Sequence, residues 1–143
     1  MTAEQILMEK GTDVVTITAQ ETINSAIRIL AERRIGAIVV TDRSDRVIGI
    51  VSERDVVREI ASRGATALDQ PVSAIMTKKV VTCELEDSIG DLMQQMTGGK
   101  FRHLPVVVDG RLAGIVSIGD VVKARIEETV REAEAMREYI ATA

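Results

Sequence analysis

Gly49-Ile50-Val51-Ser52-Glu53-Arg54-Asp55 and Gly114-Ile115-Val116-Ser117-Ile118-Gly119-Asp120 are two versions of one pattern. Each closes an apolar run with Gly-Ile-Val and opens a helical pattern with Ser-x-x-Asp. Working outward, the surroundings repeat as well. Upstream of the first, Asp13-Val14-Val15-Thr16-Ile17 resembles Lys79-Val80-Val81-Thr82-Cys83. Next, Ile23, Ala26, Ile27 and Leu30 match Ile89, Leu92, Met93 and Met96 at the i, i+3, i+4, i+7 spacing of an amphipathic helix. Thr22 and Ser88 stand at the expected N-caps.

The stretches between helix and motif read as buried strands, Gly36–Val40 in one copy and Leu104–Val108 in the other. A turn follows each: Thr41–Arg46, and the shorter Asp109-Gly110-Arg111, whose Asp-Gly pair is a hairpin signal. Each copy therefore reads strand, helix, strand, strand, helix, an α/β arrangement. Continuous apolar strands call for cover on both faces. A copy of about 60 residues is marginal alone, so the two are expected to pack together and share a core. The predicted organisation is a first repeat over 1–68, a second over 69–125 and a helical extension over 126–143. The join runs from about Ser62 to Ser73, with Gly64 and Pro71 as breakers.

The tail differs from the repeats. Val121 to about Ile140 contains neither Gly nor Pro, and Ile126, Val130, Ala133 and Ile140 form a sparse apolar stripe. It predicts a long amphipathic helix, either packed on its own domain or serving dimerisation.

Composition excludes several classes of function. Apolar residues make up 45% and charged residues 28%, the usage of a globular chain. One Phe and one Tyr leave no stacking platform for single-stranded nucleic acid. The net charge of −4 lacks the basic excess of a nucleic-acid binder. No apolar run is long enough to cross a bilayer, and the first residues lack a signal-peptide pattern. The expectation is a soluble cytoplasmic protein. One His and one Cys cannot build an ordinary zinc site, and no catalytic cofactor is expected. Cys83 reads as a small core residue. Gly98-Gly99-Lys100 fails as a P-loop, because Gln94 and Phe101 stand where Gly and Ser or Thr are needed. It reads instead as a glycine stop after Met96.

Alone, Ser-x-x-Asp before a helix is a capping box. Its duplication at equivalent strand ends gives it further meaning. Each copy sets a helix N-terminus, a hydroxyl and a carboxylate at one place. The N-terminus attracts phosphate, and a carboxylate can accept from both ribose hydroxyls.

With these residues the chain resembles a tandem cystathionine-β-synthase (CBS) domain pair, also called a Bateman module. The likeness rests on the two Gly-Ile-Val-Ser-x-x-Asp segments, on Ile35-Gly36-Ala37 and His103-Leu104-Pro105, and on Met76-Thr77 leading into Val80-Val81-Thr82. It covers about residues 6–125. The resemblance implies two β-α-β-β-α repeats related by pseudo-two-fold symmetry, clefts for AMP, ADP, ATP or related adenosyl compounds, and pairing into disc-like homodimers. It implies phosphate contacts from Ser52 and Ser117, ribose contacts from Asp55 and Asp120, and an adenine pocket near Thr16 and Thr82. Ile35, Ala37 and Pro105 join the candidate set through their strand starts.

The copies are unequal. The second carries Arg102 and His103 and is expected to be the surer site, built on Ser117 and Asp120 with Lys78, Lys79 or Lys123 adding charge. The first carries Arg54 and is expected to bind another ligand or stay empty. Two unlike sites would also suit the halves of a dinucleotide such as NAD(H). His103 reads either as a strand-start residue bonded to backbone or as a ligand contact. The leading function is a non-catalytic nucleotide sensor acting through a dimer or an unknown protein partner. The alternatives are a nucleotide-acting enzyme and a structural adaptor in which the motifs only cap helices.

Overall fold

The computed structural model describes residues 1–142. Its elements are α1 (Ala3–Lys10), β1 (Thr16–Ile17), α2 (Ile23–Arg33), β2 (Ala37–Thr41), β3 (Val47–Ser52), α3 (Glu53–Arg63), α4 (Ile89–Gly99), β4 (His103–Val108), β5 (Arg111–Ser117) and α5 (Ile118–Thr142). Short 3-10 turns at Gly64–Asp69 and Val72–Ala74 occupy the join.

The repeat is visible in the strand register. Ala37 lies opposite Ser52 in the β2–β3 hairpin, and His103 lies opposite Ser117 in the β4–β5 hairpin. Each motif serine thus ends its strand at the same ladder position. Thr22 and Ser88 cap α2 and α4, each accepting from a backbone amide of the first turn. Both helices end on a left-handed residue, Arg34 (φ 54°) and Lys100 (φ 57°). The expected glycine stop is therefore corrected: α4 runs through Gly98 and Gly99 and stops at Lys100. Gly99 is required for another reason, since a Cβ there would overlap the Phe101 ring.

The expected first strands are shorter than the sequence implied. Only Thr16–Ile17 pairs in the first copy, parallel to β2. In the second copy the strand shrinks to one parallel bridge between Cys83 and Val106. Two hydrogen bonds make it: the Cys83 amide to the Pro105 carbonyl and the Val107 amide to the Cys83 carbonyl, both 2.9 Å. Extending the ladder toward Val81 would need an N–H from residue 105. Proline has none, so Val80 and Val81 leave the sheet.

The two copies do not share one core, contrary to expectation. Ile23, Ile38, Val40 and Val51 anchor one cluster, and Ile89, Leu92, Leu104 and Val116 anchor another. Each cluster is completed by the segment that precedes the other copy. Ala3, Ile6 and Leu7 of α1 pack into the second cluster, while Val72, Ile75 and Met76 pack into the first. Main-chain bonds fix the exchange. Ala3 and Glu4 donate to Asp87 and Leu85, and Val72 and Ser73 donate to Glu21 and Ala19. The close approach of each crossing segment requires glycine in the motif. A Cβ on Gly49 would lie 2.6 Å from the Met76 Sδ, and one on Gly114 would lie 2.7 Å from Leu7 methyls. The two halves are thus interlocked rather than fused.

Helix α5 buries Val121 and Ala124 against the second cluster. Beyond Arg125 only Glu127 and Glu128 are half-buried, and the rest is exposed. Packing on its own domain therefore accounts for the first two turns and not for the remainder.

Candidate functional site

Both Ser-x-x-Asp motifs form the caps their spacing predicts. The Ser52 amide donates to Asp55 Oδ2 at 2.9 Å and the Asp55 amide donates to Ser52 Oγ at 3.3 Å. The Ser117 amide donates to Asp120 Oδ2 at 2.9 Å and the Asp120 amide to Ser117 Oγ at 3.2 Å. Capping is therefore real in both copies. What surrounds the caps separates them.

The first motif opens onto a cleft of about 270 Å³ between the two copies. Gly36, Ala37, Ile50, Ser52, Glu53, Arg54 and Asp55 form one wall. Thr77, Lys79, Val80 and Val81 form a second, held by backbone bonds of 3.1 and 2.9 Å between Ile50 and Thr77. Lys100, Phe101, Arg102 and His103 close the third side. Pro105 governs the second wall indirectly, because the ladder it interrupts frees Val80 and Val81 to line the cleft. The composition is apolar patches inside a charged rim. Arg54, Lys79, Lys100 and Arg102 supply four basic side chains against the carboxylates of Glu53 and Asp55. The N-terminus of α3 adds its dipole and its orphan amides.

His103 packs over Gly36, where an added Cβ would lie 3.5 Å from the imidazole. Burial lowers its pKa below the ordinary 6.5, helped by Lys10 and Arg102 and opposed by Asp120 and Glu53. The ring is therefore held toward its neutral form.

The second motif is closed. Lys10 at the end of α1 donates to Asp120 Oδ2 at 2.6 Å. Burial pushes the Asp120 pKa up, but the bonds from Lys10 and Ser117 outweigh it and hold the carboxyl below its ordinary 3.8. The hollow beside Asp120 holds about 70 Å³ and is lined by Ile6, Glu9, Lys10, Lys123 and neighbours.

Of the residues selected from sequence, Ala37, Ser52, Arg54, Asp55, Arg102 and His103 meet in the cleft. Arg102 and His103 were expected beside Ser117 and Asp120. They do lie there, since His103 pairs with Ser117 across the β4–β5 ladder and the Ile118 amide donates to the Arg102 carbonyl at 2.8 Å. They also line the first motif's cleft, because β4 starts at the boundary between copies. Thr16, Ile35, Thr82, Pro105, Ser117 and Asp120 are not part of its lining. Thr16 is exposed on β1, Ile35 packs on the first core and Pro105 is buried. Sequence reasoning missed α1, Lys10 and the lining by Thr77, Lys100 and Phe101. A signal for α1 existed, since Thr2-x-x-Gln5 is a capping box and forms one here.

Comparison with known proteins identifies the family and the fold. The CBS domain family profile matches residues 3–62 and 72–127, and the chain belongs to that family. A CBS-domain containing protein from Agrobacterium tumefaciens is 51% identical, with a TM-score of 0.83 over 87% of this chain and 92% of that one. A CBS domain protein from Pyrobaculum aerophilum, solved in complex with AMP, is 30% identical, with a TM-score of 0.75 over 84% and 89%. A mitochondrial CBS domain-containing protein of Arabidopsis thaliana is 35% identical over 127 residues, 86% of this chain and 62% of its own length. The chain thus spans less than two thirds of that relative. No described helix is long and apolar enough to cross a membrane.

Proposed function

We propose that the cleft beside Ser52 and Asp55 binds a phosphate-bearing adenine nucleotide and that the chain is a non-catalytic regulator. The observation that carries this reading is the meeting of three segments from both copies at one helix N-terminus, with four cations around it. Capping accounts for Ser52 and Asp55 alone; it gives no reason for Arg54, Lys79, Lys100 and Arg102 to converge. The AMP complex of the Pyrobaculum relative supports the adenine assignment. Asp55 uses one carboxylate oxygen on its cap, which leaves the other for a ribose hydroxyl. Phosphate lies toward the α3 N-terminus, Arg54 and Arg102, and the base lies against Ile50, Val80 and Val81.

This reading reverses the ranking drawn from sequence. Asp120 already holds Lys10, so the first site is the primary one. A dinucleotide such as NAD(H) spread over both motifs would need Lys10 displaced, and a mononucleotide is favoured. Because ligand touches both copies, binding selects one arrangement of the interlocked halves by its differential affinity, and another chain reads the result.

Thermal unfolding with AMP, ADP, ATP, NAD and S-adenosylmethionine tests the assignment. A true ligand at one hundred times its dissociation constant adds about 2.7 kcal/mol of stability. AMP, ADP or ATP should stabilise more than the cationic S-adenosylmethionine. A larger effect from S-adenosylmethionine would reject the phosphate reading, and no effect from any of the five would reject the nucleotide reading.

A further inference from the structure

Helix α5 carries an apolar seam that its own chain leaves uncovered. Val122 is 42% exposed, Ile126 58%, Met136 61% and Ile140 68%. These residues fall on a heptad. Ile126, Ala133 and Ile140 take one core position, and Val122, Thr129 and Met136 take the other. Val130 and Tyr139, also exposed, flank the seam. The seam extends about 27 Å at 1.5 Å per residue.

The charges beside it favour one partner and one orientation. Glu132 precedes a core position and Arg137 follows the next, five residues on. In a parallel, in-register pair of helices these positions face each other across the seam. Among the described residues neither side chain has an ion pair within the chain. An antiparallel alignment that buries the same seam would set Glu132 against Glu132 of the other copy.

We propose that the exposed part of α5 pairs with α5 of a second copy as a short parallel coiled coil, with Glu132 of one copy against Arg137 of the other. The two chains then sit at the same end of a shared stalk, on opposite sides of its two-fold axis. Ala133 and Thr129 make the middle of the seam thin, so the association is weak and responsive to how the attached halves are arranged.

Sedimentation of the full chain tests the pairing, and a single cysteine tests its orientation. Met136→Cys should give a disulfide-linked dimer under mild oxidation, because position 136 meets its own counterpart only in the parallel register. Cys83 stays silent, being buried with its thiol pushed up to about 12 by burial and by Asp87. Ile126→Glu with Ile140→Glu should weaken self-association at least about a hundredfold; both positions are exposed, so the monomer fold is kept. Glu132→Arg should also weaken it, and adding Arg137→Glu should restore it. A wild-type chain that sediments as a monomer would overturn the proposal. So would a Met136→Cys chain that fails to cross-link, or one whose cross-linking survives Ile126→Glu with Ile140→Glu.

Discussion

Leu7→Ala probes the exchange of segments that holds the two halves together. Leu7 is 3% exposed and its methyls fill the space that Gly114 leaves open on β5. Removing them takes away the transfer free energy of the buried methyls and leaves a cavity beside Gly114. Buried Leu→Ala changes cost about 2–5 kcal/mol. Helix α1 is short and terminal, so it can settle inward, and the lower half of that range applies, roughly 2–3 kcal/mol. For a chain of this size that is a fall of roughly 6–12 °C in the unfolding midpoint. Circular dichroism during heating measures it, and urea titration gives the free energy independently. Met8→Ala is the control on the same helix, since Met8 is 79% exposed, and it should stay within about 0.5 kcal/mol of wild type. If Leu7→Ala behaved like Met8→Ala, α1 would not be part of the second core. The exchange described here would then be wrong.

Three further outcomes follow from the site. Lys10→Met keeps the length of the side chain and removes its charge; the pair it breaks is partly exposed, so the loss is at most about 1 kcal/mol. Asp120 is depressed below 3.8 in the folded state, so its stabilisation is present above that pH and lost as pH falls through the folded value. Wild type and Lys10→Met should therefore converge in acid denaturation, and the variant should gain a second equivalent of bound nucleotide by calorimetry. His103, held below 6.5, supports the fold above the unfolded value and opposes it as pH falls. A bound phosphate raises its pKa, so nucleotide affinity should increase from pH 8 to pH 6 with proton uptake. His103→Gln should flatten that dependence. Gly99→Ala should destabilise by about 1–3 kcal/mol through overpacking against Phe101, and should weaken nucleotide binding by shifting a lining residue.

Local chemistry made much of the architecture legible. Thr22 and Ser88 mark helix starts because a side-chain oxygen there satisfies an amide of the first turn. The five residues of β2 are all buried, as an uninterrupted apolar run requires. The duplicated motif located both strand-to-helix corners and hence the cleft. What stayed hidden depends on distance along the chain. Lys10 and Asp120 are 110 residues apart, and no periodicity links them. The eight residues of α1 are too few for a clear hydrophobic pattern, so their burial against β5 could not be inferred. The assignment of Arg102 and His103 to the second motif followed from their neighbourhood in sequence. The hairpin keeps His103 opposite Ser117 and also brings the start of β4 to the other copy's cleft, which sequence neighbourhood alone does not show. The retreat of Val80 and Val81 from the sheet was readable in principle, because Pro105 has no N–H to give. Seeing it required the register of Cys83 against Val106.

The central claim is that the open cleft at Asp55, rather than the closed one at Asp120, is the primary nucleotide site. Calorimetric titration of AMP into wild type, Asp55→Ala and Asp120→Ala tests it directly. Each aspartate also caps a helix, so each variant should lose a comparable amount of stability, about 0.5–2 kcal/mol, and folding is checked by circular dichroism beforehand. Wild type should bind one equivalent, Asp55→Ala should lose at least about tenfold in affinity, and Asp120→Ala should bind as wild type does. Binding abolished by Asp120→Ala and untouched by Asp55→Ala would contradict the account.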